Sequence, residues 1–220
     1  MTPPYQLRRY THVSALRSIF ADQRMRLGRF KDWEDKNDSH YVEAYRREGN
    51  FTDVRILCLS AAEEDFHHWR SFAFSPDGVL IVFNGTELHN ALLRAPRLVA
   101  HGPMEYHWWT GGLKRLKRLK PDEPPLLGGR IRPDRLPFVK RKHFQGEREY
   151  RYVFGFTDSS KQERNVDVPT ASIARVWLSP WSKASSLHAI RRMPGANSIQ
   201  INRSKLLNNK EWRALADRSG

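Results

Sequence analysis

Short apolar runs rich in β-branched and aromatic residues recur along the chain, and they constrain its fold more than any other feature. "DVRILCLS" and "VLIVFN" are bounded by acidic or glycine-containing turns, which is typical of strands. Similar runs occur later in the chain. The runs predict strands over 53–60, 79–84, 147–156 and 173–179, with a last short strand near "SIQIN".

Helical periodicity separates these runs. Val13, Leu16, Ile19 and Phe20 have the spacing of one helical face, and Thr11 or Ser14 is available to cap the start of that helix. Further helices are predicted over 39–48, 86–94 and "SKASSLHAIRR", with a short one carrying "FHHWR" and ending by Pro76. Strands and helices mix without a regular βαβ repeat, so the predicted class is α+β.

The length of 220 residues suits one domain, 1–220, although two small domains remain an alternative. Residues 101–140 depart from this order of strands and helices, and they are interpreted as a basic insertion. Within it, leucines recur every third residue among Lys and Arg, which predicts a short amphipathic helix between Gly and Pro breaks. This helix either packs on the core or contacts phosphates. Its candidate nucleic-acid-binding residues are Lys114, Arg115, Lys117, Arg118 and Lys120.

The formal net charge of +14, with a pI near 10.3, favours polyanions as partners, so nucleic acid is the expected partner. The alternative is that the charge serves solubility. No long amphipathic helix indicates a membrane surface. The first residues lack the apolar core of a signal peptide and Cys58 has no second cysteine to pair with, so we expect a cytoplasmic protein.

Motifs for metal and phosphate chemistry are weak in this sequence. Its nine His show no structural-zinc spacing, and neither a GxSxG nor a phosphate-loop motif occurs, so we expect no metal cofactor. The acidic run "DWEDKND" keeps a metal-dependent nuclease open as an alternative.

The stretch "KHFQGEREYRYVF" places two carboxylates in a basic, aromatic context. Read as an extended strand, it puts Glu147, Glu149 and Arg151 on one face. One interpretation is a surface strand whose acids pair with arginines. The other is a pair of catalytic acids.

Several fragments, taken in order, resemble a known family. They are "LRRYTHVSALRSIFADQRMRLG" with "DWEDKND", "ILCLSAAEEDFHHWRSFAFSPDGVLIVFN", "KHFQGEREYRYVF", "IARVWLSPW" and "INRSKL". Together they are similar to an uncharacterised bacterial domain family that includes abortive-infection proteins and looks like a divergent branch of the ADP-ribosyltransferase superfamily. The resemblance spans most of the chain and leaves 101–140 uncovered.

The resemblance implies a split mixed or antiparallel sheet of ADP-ribosyltransferase type, with short flanking helices and NAD as donor substrate. It makes Glu149 the catalytic glutamate and Glu147 an accessory acid. Tyr10, Thr11 and His12 match the first NAD-contacting motif, and Trp69 takes the anchor position of the Trp-centred motif.

The chemistry of the residue types agrees with this assignment. Cleavage of the nicotinamide–ribose bond passes through an oxocarbenium-like state, which a carboxylate stabilises. Arg9 or Arg70 is suited to pairing the pyrophosphate. The sequence therefore predicts an NAD-dependent ADP-ribosyltransferase that modifies nucleic acid as a toxin or phage-defence effector, with an antitoxin or inhibitor protein as a further partner. The alternatives are a non-catalytic nucleic-acid-binding module, an NAD hydrolase and a nuclease.

Overall fold

Helix periodicity and capping explain where the helices of the computed structural model begin and end. The structure describes residues 2–108, 126–127, 130–158 and 164–217, and for 126, 127 and 130 it describes the backbone. The predicted helix within 101–140 lies outside these residues. The α-helices of the described residues are α1 Val13–Asp22, α2 Lys36–Glu48, α3 Phe66–Phe72, α4 Gly85–Leu93, α5 Ala184–Arg191 and α6 Lys210–Asp217.

Two of these helices show how caps set their starts. In α1 the predicted apolar face is confirmed, because Leu16, Ile19 and Phe20 are buried, but the predicted caps are wrong. His12 occupies the N-cap position without a side-chain hydrogen bond. Helix α2 begins at Lys36, three residues before the prediction, because the Asp35 carboxylate accepts hydrogen bonds from the backbone N–H groups of Asn37 and Asp38.

The predicted strands are present, with small shifts of their bounds, and several strands were not predicted. The strands are β1 Gln6–His12, β2 Arg24–Arg26, β3 Gly28–Arg29, β4 Asp53–Ser60, β5 Gly78–Asn84, β6 Leu98–Pro103, β7 Glu105–His107, β8 Leu126–Leu127, β9 Arg130–Ile131, β10 Val139–Arg141, β11 Glu149–Phe156, β12 Asn165–Asp167, β13 Ile173–Leu178 and β14 Gln200–Arg203. Parallel and antiparallel pairs both occur, so the α+β class with a mixed sheet is confirmed.

The chain divides into two compact units, and each is built from separate segments. Unit 1 comprises 26–61 and 92–165, and unit 2 comprises 2–25, 62–91 and 166–220. In unit 1, β11 lies antiparallel between β4 and β6, and all eight of its residues are buried. Its core cluster is Phe30, Val42, Val54, Ile56, Met104, Phe138 and Val153.

Unit 2 has its own set of paired strands and its own core cluster. Strand β5 pairs antiparallel with β1 and with β13, and β14 adds in parallel to β13. Its core cluster comprises Tyr10, Trp69, Ala73, Leu80 and Val82, with Trp177 and Trp181 packed against it. Helix α3 supplies Trp69, and it ends at Phe72 rather than near Pro76 as predicted.

Candidate active site

The start of β11 fixes the two predicted acids. The expectation that Glu147 belongs to the strand is wrong, because Lys142–Glu147 forms a 3-10 helix and Arg148 turns the chain in a left-handed conformation with φ of 43°. The Arg148 carbonyl accepts a hydrogen bond from the Ala61 N–H at 2.9 Å, so the turn is tied to the end of β4. Glu149 and Arg151 do share one face of β11, as an extended strand requires.

Arg151 is the centre of a group of buried charges. Its side chain is 1% exposed. Its guanidinium nitrogens lie 2.8 and 2.5 Å from the Asp38 carboxylate and 2.8 and 3.1 Å from the Glu149 carboxylate. The guanidinium also donates a hydrogen bond to the Pro137 carbonyl at 2.9 Å, and its carbon lies 4.8 Å from the centroid of the Trp33 ring. The guanidinium is therefore enclosed by two acids, a carbonyl and an aromatic face.

Lys140 joins Glu147 to this group. Its Nζ lies 2.5 Å from Glu147 Oε2, 3.3 Å from Glu149 Oε2 and 3.5 Å from Asp38 Oδ2. The two predicted acids are thus brought together by a shared cation, although only one of them is in the strand. We call Asp38, Lys140, Glu147, Glu149 and Arg151 the buried charge cluster. It contains three carboxylates and two cations, so it carries one excess negative charge when all five are ionised.

The two glutamates have opposite pKa shifts. Burial alone would raise the pKa of Glu149, but the charges of Arg151 and Lys140 outweigh burial and lower it to about 2. Burial raises the pKa of Glu147 in spite of the attraction of Lys140. For Lys140, burial favours the neutral amine, but Glu149 and Glu147 raise its pKa, so it stays charged. Two neighbouring acids whose pKa values are shifted in opposite directions are suited to two different chemical roles.

Tyr106 supports the start of β11. Its hydroxyl oxygen accepts a hydrogen bond from the backbone N–H of Glu149 at 2.9 Å, and burial raises its pKa. This contact fixes the first residue of the strand, and with it the position of the Glu149 carboxylate.

Two of the residues predicted to bind NAD meet in the core of unit 2. Tyr10 and Trp69 contact each other edge to face, with ring centroids 5.1 Å apart. Trp69 is fully buried and its Nε1 donates a hydrogen bond to Glu64 at 2.9 Å. The Tyr10 hydroxyl accepts one from the Asp65 N–H at 3.2 Å, and burial raises the pKa of Tyr10 to about 12. Their rings are packing surfaces in this structure.

The other predicted donor residues are more accessible. Arg9 and Thr11 are half-buried in β1, and His12 is exposed before α1. Arg70 is exposed on α3, with its guanidinium carbon 4.0 Å from the centroid of the Phe74 ring. All predicted donor residues belong to unit 2, whereas Glu147 and Glu149 belong to unit 1.

The sequence did not reveal several buried charged residues in the two units. Asp38 and Lys140 complete the buried charge cluster, and Arg8 is a buried arginine on the same side of β1 as Tyr10. Arg8 and Tyr10 are two residues apart, so an extended strand places them on the same face, and this spacing could have identified Arg8 from the sequence. For Asp38, the acidic run at 32–38 was a signal of a charged site, although not of its arginine partner. No local pattern marks Lys140.

Other predictions concern residues or groups beyond this site. Lys114, Arg115, Lys117, Arg118 and Lys120 lie outside the described residues. Among the described residues, no three His, Cys, Asp or Glu side chains are grouped so as to hold a metal ion. Within the same residues, no helix has the length and apolar character needed to cross a membrane.

No protein family, curated protein or solved structure gives a significant match to this chain.

Proposed function

We propose that the protein is an NAD-dependent ADP-ribosyltransferase whose acceptor is nucleic acid, acting as a toxin or phage-defence effector, with a sheet of the split ADP-ribosyltransferase type. The observation that carries the proposal is the pairing of Glu147 and Glu149 on the Lys140 ammonium, with pKa shifts in opposite directions. Such a pair supplies one permanent anion and one proton acceptor.

Glu149 suits the role of the anion. When the nicotinamide–ribose bond breaks, the bonding electron pair leaves with nicotinamide and positive charge develops on the ribose. A carboxylate with a pKa of about 2 is ionised at neutral pH, and Arg151 and Tyr106 hold its residue in place. A fixed anion stabilises this charge without having to reorganise.

Glu147 suits the role of the base. The acceptor's nucleophilic oxygen or nitrogen attacks the ribose carbon, and its proton passes to a carboxylate. A raised pKa makes Glu147 a stronger base than an ordinary glutamate, and its side chain is more exposed than that of Glu149, at 19% against 8%.

The donor residues of the proposal come from the sequence. Arg9 is suited to the pyrophosphate and exposed His12 to a ribose hydroxyl. Tyr10 and Trp69 are assigned a positioning role, because both are buried and support β1 and α3. The net charge of +14 supports a polyanionic acceptor.

One observation favours a second candidate, a non-catalytic nucleic-acid-binding module. The Glu149 carboxylate is nearly enclosed and both of its oxygens accept hydrogen bonds from Arg151. A purely structural ion-pair network perturbs pKa values in the same way. Such a module keeps the basic surface and needs no acid pair.

The test is to incubate the protein with NAD labelled in its adenylate phosphate and with single-stranded RNA or DNA. Nicotinamide release and label on the nucleic acid are measured, with NAD binding followed by calorimetry. We expect Glu149→Gln to lower nicotinamide release by about 100-fold or more, while NAD still binds. Glu43→Gln is the matched control, since Glu43 also pairs with an arginine, Arg46, outside the buried charge cluster.

The outcomes separate the candidates. If the unaltered protein neither binds NAD nor releases nicotinamide, the transferase proposal is wrong and the binding module stands. Nicotinamide release without label on any nucleic acid would instead identify an NAD hydrolase or a protein-directed transferase. Equal activity of the Glu149→Gln and Glu43→Gln variants would remove Glu149 from the mechanism.

A further inference from the structure

Three aromatic rings form a surface on unit 2. Phe74 contacts Trp181 edge to face, with ring centroids 4.8 Å apart, and Phe66 lies 6.3 Å from Trp181. Phe66 is 37% exposed and Phe74 is 55% exposed, whereas Trp181 is half-buried. We call Phe66, Phe74 and Trp181 the aromatic platform. Exposed apolar groups of this size, gathered in one place, are typical of a binding surface.

The platform has a rigid base. Phe66 is the first residue of α3, whose start is fixed by the Asp65 cap through the His67 and His68 N–H groups. The same helix places Trp69 in the core, and Trp181 packs against that core cluster. The rings are therefore held in position before any ligand arrives, which lowers the entropic cost of binding.

Positive charge borders the platform. The Arg70 guanidinium lies over the Phe74 ring, and Lys183 is exposed two residues after Trp181. Three acids precede α3: Glu63 pairs with Arg8, Glu64 accepts a hydrogen bond from Trp69, and Asp65 caps the helix. Arg203 is a further cation near this segment, since its guanidinium donates to the carbonyl of Pro180, the residue before Trp181, at 2.7 Å.

We infer that the aromatic platform binds single-stranded nucleic acid, with bases stacked on Phe66, Phe74 and Trp181 and phosphates paired with Arg70 and Lys183. Rings interleaved with cations bind single strands, because only unpaired bases can turn their faces to a side chain. The charge complementarity of a +14 chain favours nucleic acid over an apolar protein partner. The inference adds a binding surface to the proposed function. It rests on that function in one respect, which is that the bound strand is the acceptor of ADP-ribose.

The first test compares a fluorescein-labelled single-stranded 12-mer RNA, the same sequence as DNA, and the duplex DNA, by fluorescence anisotropy. We expect tighter binding of the single strands. Phe66→Ala with Phe74→Ala should weaken single-strand binding by roughly 25-fold or more, since each base–ring stack is worth at least about a fivefold change. Tyr5→Ala with Trp212→Ala is the matched control, because these rings are 81% and 74% exposed outside the platform. The control should leave binding unchanged.

A second measurement separates stacking from charge. Arg70→Gln should reduce the slope of log affinity against log salt by about one released counterion, whereas the double Phe variant should keep the slope. Nicotinamide release without nucleic acid is measured on the same variants. Its survival in the Phe variant separates strand capture from donor chemistry, and absence of release in the unaltered protein would overturn the transferase while leaving this inference intact.

Two results would overturn the inference. One is equal affinity for duplex and single strands together with no effect of the double Phe variant, which would make binding a matter of charge alone. The other is a dimer in sedimentation that dissociates in the double Phe variant while nucleic-acid binding persists, which would make the platform a self-association surface.

Discussion

Arg151 in unit 1 and Arg8 in unit 2 are both buried arginines, but the exposure of their carboxylate partners differs. Arg151 pairs with Asp38 and Glu149, whose side chains are 3% and 8% exposed. Arg8 pairs with Glu63 at 2.6 Å, and the Glu63 side chain is 87% exposed. In unit 1 both sides of the ion pair have lost water, so each charge depends on the other. In unit 2 the carboxylate stays hydrated whether or not the arginine is present.

The largest expected effect comes from removing the two arginines. Arg151→Met should lower the free energy of unfolding by about 3–5 kcal/mol, because Lys140 alone must then balance the three carboxylates of the buried charge cluster. Arg8→Met keeps an apolar side chain of similar length and should cost about 1 kcal/mol or less, since Glu63 is already solvated. Urea denaturation at pH 7 measures both. The comparison fails if the two variants lose equal stability.

A double variant sharpens this prediction. Adding Glu149→Gln to Arg151→Met removes one of the two stranded charges, so part of the lost stability should return. If the two substitutions are strictly additive, Arg151 and Glu149 do not stabilise each other, and the loss in Arg151→Met would come from packing.

The sequence predicts the position of some residues around Arg151 and Arg8, but not of others. Period-2 alternation correctly placed Glu149 and Arg151 on one face of β11, because that pattern is a local property of an extended chain. It could not identify Asp38, which lies 113 residues from Arg151 along the chain. It also failed at Glu147, where the 3-10 helix Lys142–Glu147 and the left-handed Arg148 precede the extended chain. Hydrophobic patterns do not encode such turns.

Strand β1 shows the opposite failure. Its sequence "QLRRYTH" has too many charged residues to stand out as a strand, yet Arg8 is 5% exposed. The burial is possible because Glu63 and Gln6 accept hydrogen bonds from its guanidinium. A charged residue in a strand can be assigned to the interior only once its partners are known, and the acidic partner of Arg8, Glu63, lies 55 residues away along the chain.

The next prediction uses acid pH to compare the two glutamates of unit 1. The pKa of Glu149 falls from about 4.5 to about 2 on folding, so its stabilisation is complete above about pH 4.5 and is lost as pH falls towards 2. Glu149→Gln should therefore cost up to about 3 kcal/mol at pH 7. The difference from the unaltered protein should vanish near pH 2.

Glu147 should behave in the opposite way. Its pKa is raised on folding, so the folded state prefers the protonated form, and stability falls as pH rises through that pKa. Glu147→Gln should therefore leave stability at pH 7 unchanged or increase it. Urea denaturation of both variants from pH 2 to 7 checks the signs, with Glu63→Gln as the solvated reference from unit 2. Loss of stability at pH 7 in Glu147→Gln would show that its bond to Lys140 outweighs the cost of burial.

The smallest expected effect compares the two units at a feature that they share, an Asp residue that caps a helix. Asp35 caps α2 in unit 1 and Asp65 caps α3 in unit 2, each by accepting hydrogen bonds from two backbone N–H groups. Replacing either by Ala should lower the free energy of unfolding by about 1 kcal/mol.

Because α3 has only seven residues and carries Trp69, loss of its cap should also loosen the packing of Trp69 on Tyr10. Tryptophan fluorescence should therefore change more in Asp65→Ala than in Asp35→Ala, although the two free energies are similar. A cost several times larger for Asp35 would show that this cap also supports the neighbouring Asp38, and hence the buried charge cluster, rather than the helix alone.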